Sequence, residues 1–168
     1  QGDIIGPRLF TSGPFIGATG GHCDANFLSH EYGYKYKGVA DGPWAIRAKV
    51  RENIKYGADL IKFCATGGVY SHGSKLAKAE YSEIEMAALV TEANNQGVHV
   101  AAHAHGTEGI RLALEAGVRS IEHASFLDQE TVNLAKVKGA FLAMDILSAV
   151  DYLKAVPETT QEVASKAH

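Results

Sequence analysis

What this sequence has little of removes several classes of function. Among its 168 residues there are two cysteines, Cys23 and Cys64. They fit neither a zinc-knuckle spacing nor a disulfide framework and leave the redox compartment open. No apolar run approaches the ~20 residues of a membrane span, and no signal-peptide pattern opens the chain, so no membrane partner is expected. The formal net charge is only -3, with no block of like charge, which gives no electrostatic reason to expect nucleic acid. A glycine-rich phosphate fingerprint between a strand and a helix is also missing. The chain starts at Gln1 without an initiator methionine, and further sequence upstream is expected.

What is present is an ordinary globular composition, 46% hydrophobic and 21% charged, and a repeated order of residues. Gly57 is followed by an apolar run ending at Lys62, Gly97 by one ending at His103, Gly117 by one ending at His123, and Gly139 by one ending at Asp145. Glycine accepts the left-handed conformation just past a helix, so each one closes a helix and starts a strand. The helices carry their own signals. Ser82 and Glu85 form a capping-box pattern before the run to Gly97. Thr107 and Asp128 precede the stripes that end at Gly117 and Gly139, and Asp41 with Pro43 starts a helix carrying Ile46, Val50 and Ile54 on one side.

Alternating strands and helices imply an α/β fold with a parallel sheet, and polar groups at C-terminal strand ends are where such folds build active sites. Metal-ligand side chains without a phosphate loop favour a TIM barrel, (β/α)8, over a doubly wound sheet. About five strands are expected, one near Arg8 to Thr11 and four from the glycine pattern. A whole barrel typically takes ~250 residues, so the expectation is part of one.

A lysine at one strand end, in the apolar stretch LIKFCATGG, needs a reason, because a buried lysine without a partner is costly. A deprotonated lysine can add carbon dioxide at Nζ and, as an anionic carbamate, bridge two divalent metal ions. With GPRLFTSG, ATGGHCD, HVAAHAHGTEGI and RSIEHASFLD, this stretch resembles the metal-dependent amidohydrolases, especially the branch of imidazolonepropionase-like enzymes, Xaa-Pro dipeptidases and related carboxypeptidases.

The resemblance implies metal ligation by Lys62, as its carbamate, and by His103 and His123. It implies two divalent ions, zinc by default, and metal-assisted hydrolysis of an amide in a dipeptide or other small molecule. It also places residues 1–168 in the middle of a catalytic barrel, roughly strands 3 to 7. The strand-1 His-x-His pair and the strand-8 aspartate of the family are absent, and Asp145, by chain order on strand 7, does not replace that aspartate. The isolated piece is expected to be inactive and, with open strand edges, to associate with further copies as a homo-oligomer.

His105 shares strand parity with His103. It is a candidate catalytic residue contacting substrate or a developing oxyanion, or else it makes a hydrogen bond at the start of the next helix. Gly106 stands where the family's deaminases carry a proton-shuttle glutamate, which disfavours deamination. His22, with Asp24 in a glycine-rich loop, is a candidate substrate contact or part of a plain turn. Tyr70, in the loop with Gly67, Gly68, Ser71 and His72, is a candidate substrate-binding residue, or that loop is simply solvated. His30 and His99 read as structural or exposed. Two alternatives remain: a cyclic-amide hydrolase of the imidazolonepropionase type, and a non-catalytic structural or binding module.

Overall fold

The structure, a computed structural model, describes residues 5–24 and 26–145. The tail from Leu147 onward, expected to be loop and helix, lies outside the described residues. A short 3-10 turn at His30–Tyr32 precedes α1 (Gly42–Lys55), β1 (Leu60–Cys64), α2 (Glu83–Asn95), β2 (His99–Ala104), α3 (Thr107–Ala116), β3 (Ser120–His123), α4 (Gln129–Lys138) and β4 (Phe141–Ala143). The four strands form one parallel sheet in chain order, the arrangement expected of consecutive units of an α/β barrel.

The helix starts follow from the capping residues. Ser82 N–H and Oγ–H both donate to Glu85 Oε2, at 2.9 and 2.7 Å, and the other Glu85 oxygen accepts the Gly42 N–H at 2.9 Å. One carboxylate therefore caps α2 and ties down the first turn of α1. Asp128 accepts the Thr131 N–H at 2.8 Å at the head of α4. Gly117 and Gly139 adopt positive φ at the ends of α3 and α4, as the sequence pattern requires.

Side chains alternate across a strand, so the ladder register sorts them into two faces. Ile61, Phe63, Val100, Ala102 and Ile121 occupy one face, each at most 2% exposed. They pack with Ile46 and Val50 of α1, Met86 and Leu89 of α2, and Ile110 and Leu114 of α3 in one core. The other face carries Lys62, Cys64, Ala101, His103, Ser120 and Glu122.

No strand forms at Arg8 to Thr11. Thr11 O accepts the Asp59 N–H at 2.7 Å just before β1, Gly13, at φ 63, and Pro14 follow, and the chain then runs along the outer edge of β1. There Ile16 N–H donates to Lys62 O at 2.8 Å and Cys64 N–H donates to Ile16 O at 2.9 Å. Lys62 itself sits in the middle of β1, two residues before the strand end. Among the described residues no helix is long and apolar enough to cross a membrane. His30 and His99 are exposed, as expected.

Candidate metal centre

His103 lies near the end of β2 and His105 just past it, and their two-residue spacing turns both rings to the same side, with centroids 4.7 Å apart. His123 is different. It pairs with Ala104, which belongs to the helix-covered face, so strand alternation alone would point its ring away from the other two. The backbone corrects this by entering the left-handed region at His123, φ 73, and Ala124, φ 50. Such a conformation costs a non-glycine residue about 1–3 kcal/mol. It brings the His123 ring to 4.8 Å from both His103 and His105.

A fourth imidazole comes from the glycine-rich loop. The His22 ring stacks on His103 with centroids 4.2 Å apart. It occupies the space where Gly68 has no Cβ; any side chain there would overlap it. Ser71 holds it on the other side, because the Ser71 hydroxyl donates to the His22 carbonyl and is hydrogen-bonded to His22 Nδ1. With the hydroxyl proton given to that carbonyl, the Ser71 oxygen accepts from Nδ1–H, which places the ring proton on Nδ1.

The same accounting bears on the tautomers of the cluster. His103 Nε2 donates to Gly67 O at 3.2 Å, leaving Nδ1 as an acceptor. His123 Nδ1 pairs with the Asp145 carboxylate, which places the proton there. His105 Nδ1 is hydrogen-bonded to Ser125 Oγ at 2.7 Å, which anchors the ring. Burial, reinforced by the neighbouring imidazoles, pushes His103 down to about 2, and burial with His123 and His22 nearby pushes His105 down to about 4. Both imidazoles are therefore neutral at physiological pH. Burial also lowers the Lys62 ammonium, opposed by the negative charges of Glu122 and Asp145.

His103, His105 and His123 each offer one nitrogen, and these atoms lie within 4.8 Å of one another. Two nitrogens bound tetrahedrally to one zinc at ~2.1 Å lie ~3.4 Å apart, so closure asks a movement of up to about 0.8 Å from each ring. The donor set fits a divalent metal of the zinc type. Lys62 shares the face of Cys64 and His103, one pair lower on the ladder. Tyr70 is exposed beside Ser71 on the loop after β1.

Several partners escape a reading of sequence alone. Asp145 orients His123, Ser125 holds His105, and Ser71 holds His22. Cys23 and Cys64 are disulfide-bonded, with Cα atoms 6.0 Å apart, so the two cysteines left unassigned by their spacing staple the His22 loop to β1.

The profile of the amidohydrolase family matches residues 1–163. The chain belongs to the amidohydrolase family. Ochratoxinase of Aspergillus niger is 37% identical over 154 residues, covering 83% of this chain and 32% of that protein. The crystal structure of A. niger ochratoxinase superposes with a TM-score of 0.87 at 32% identity, over 98% of this chain and 42% of the other. A Xaa-Pro dipeptidase with methionine bound in its active site gives 0.77 at 40% identity, over 84% and 36% of the two chains. A prolidase in complex with N-methylphosphonate-L-proline gives 0.82 at 34%, over 99% and 44%. This amidohydrolase chain thus spans about a third of the length of the curated relative it matches. Its imidazoles gather at the C-terminal ends of the strands, the side on which barrel enzymes build their sites.

Proposed function

We propose that the chain supplies the central part of the active site of a metal-dependent amide hydrolase acting on a dipeptide or an N-acyl amino acid. The observation that carries this reading is the gathering of His103, His105 and His123, each offering one ring nitrogen within 4.8 Å of the others, with His22 stacked on His103. The likeness to an Xaa-Pro dipeptidase, a prolidase and ochratoxinase supports the substrate class.

In this reading His103 and His123 hold a divalent metal, and Lys62, as its carbamate, joins them from β1. A bound zinc-type ion would supply Lewis acidity and a water ionised near neutral pH. Asp145 keeps the proton of His123 on Nδ1 and so directs Nε2 to the site. His105, neutral and held by Ser125, contacts the carbonyl region of the substrate, and His22 contacts the substrate from the glycine-rich loop. Tyr70 closes over the site from the loop. The chain is the middle portion of the barrel, and the side of β4 that pairs with no strand among the described residues supports association with further strands or a second copy.

The test is metal stoichiometry and hydrolysis of Xaa-Pro dipeptides and N-acyl amino acids by the whole protein. Lys62→Ala should lose binuclear metal binding and activity, with no rescue by carbonate, since alanine has no amine to carboxylate. Two metals and full turnover in that variant would defeat the carbamate assignment. The 168-residue chain alone should bind zinc weakly and hydrolyse amides negligibly. A second reading, in which His105 is a third ligand of a single ion, is favoured by its place in the same nitrogen cluster. His105→Ala decides between them: metal content near normal with impaired turnover supports the substrate role, whereas loss of metal supports the ligand role.

A further inference from the structure

Glu80 lies outside the imidazole cluster, in the segment between β1 and α2, and its main-chain N–H donates to Ala65 O at 2.9 Å. Its side chain is half-buried, and burial pushes the carboxyl up to about 7. Nothing in the secondary structure requires an acid here. Its hydrogen-bonding partner among the described residues is the main-chain N–H of His22, which lies 2.8 Å from one carboxylate oxygen and 2.9 Å from the other. The loop is built around that contact. A Cβ on Gly21 would come within 2.6 Å of Glu80 Oε2, so the residue before His22 must be glycine for the carboxylate to reach. Glu80 also forms part of the wall of an open cavity of about 400 Å³, shared with Thr19, Ser74, Lys75 and Lys78, on this side of the loop.

We propose that Glu80 is a positioning residue: by holding the His22 main-chain N–H between its two carboxylate oxygens, it sets where the His22 imidazole stands over His103. Ser71 holds the ring and the carbonyl, and the Cys23–Cys64 disulfide anchors the next residue, so Glu80 adds a constraint at the main-chain N–H of His22. A carboxylate suits this position better than an amide. Glutamine could offer only one acceptor to the N–H and would bring its own NH2 donor against it. The inference rests on the proposed role of His22 as a substrate contact.

The test combines Glu80→Gln, Glu80→Ala, Gly21→Ala and His22→Ala in the whole, metal-loaded protein. Glu80→Ala should raise KM about tenfold, the loss of roughly one hydrogen bond's worth of substrate binding, with kcat changed less than about twofold and metal content unchanged. Gly21→Ala, which displaces the carboxylate without removing it, should reproduce that KM, and Glu80→Gln should fall between it and the wild type. In the His22→Ala background the Glu80 substitution should add nothing; full additivity would overturn the proposal. An independent readout is the NMR signal of the His22 ring in the 168-residue chain. Displacement of its Cε1–H and Cδ2–H resonances in Glu80→Gln supports positioning, and unchanged resonances refute it. If the whole protein hydrolyses no amide, the functional reading fails, while the NMR comparison still decides the role of Glu80.

Discussion

The two faces of the sheet obey different rules. On the helix-covered face, Ile61, Phe63, Val100, Ala102 and Ile121 are apolar, essentially inaccessible and in regular strand geometry. On the other face, Lys62, Cys64, His103 and Glu122 carry charge, sulfur and ring nitrogen, and beside them the backbone at His123 and Ala124 leaves the usual regions. One face gains stability from burial; the other uses part of that stability to hold polar groups close together. The contrast is a difference in what each residue is optimised for, and single substitutions should separate the two.

The largest expected effect is on the helix-covered face. Phe63→Ala should destabilise the chain by about 3–5 kcal/mol, because it removes a fully buried ring and leaves a cavity. Urea denaturation would measure it. His103→Ala should cost far less in the metal-free chain while removing most zinc binding by calorimetry. A Phe63→Ala loss no greater than that of His103→Ala would erase the distinction between the faces.

The next effect is a pH dependence that belongs to the polar side. His105 falls to about 4 in the folded chain from an ordinary value of 6.5. On acidification the unfolded chain takes up the proton first, so this contribution is complete above pH 6.5 and is lost as pH falls through 4. It amounts to about 3 kcal/mol for His105 alone. His103 acts in the same direction and over a wider range. Glu80 opposes them: its folded value of about 7 exceeds the ordinary 4.5, so its contribution is present below 4.5 and lost as pH rises through 7. Two histidines outweigh one carboxyl, and the metal-free chain should lose stability between pH 6.5 and 4. Glu80→Gln should steepen that loss; a flat profile in both proteins would contradict the burial of the imidazoles.

The smallest effect sharpens the polar face itself. Asp145→Asn should weaken zinc binding about 10- to 100-fold, because the carboxylate that holds the His123 proton on Nδ1 is lost, while the thermal midpoint of the metal-free chain barely moves. Competition with a chromogenic chelator would read the affinity.

Much of the helix-covered face was legible in the sequence, because glycine, capping residues and apolar spacing report local geometry directly. Gly117, Gly139 and the Ser82–Glu85 box stand where the pattern puts them. The shared direction of His103 and His105 also follows from period two. His123 does not: parity predicts the wrong side, and only the left-handed turn at His123 and Ala124, where β3 ends, brings it round. Contacts between distant segments were equally hidden. Glu80 meets His22 across 58 positions and Cys23 meets Cys64 across 41, and no local pattern encodes either meeting. The strand expected near Arg8 failed because the contact with the edge of β1 is made further along, at Ile16 beyond Gly13 and Pro14, and no local pattern reports it.

The disulfide has a practical side for anyone handling the protein. Cys64 stands directly opposite His103 in the ladder, and while its sulfur is bonded to Cys23 the cluster offers nitrogen and oxygen donors alone. A thiol reductant in the storage buffer would open that bond and place soft, polarisable sulfur next to the imidazoles, where it favours zinc and monovalent copper over manganese or magnesium. Metal preferences measured with and without reductant would then describe two different coordination environments in a single sequence.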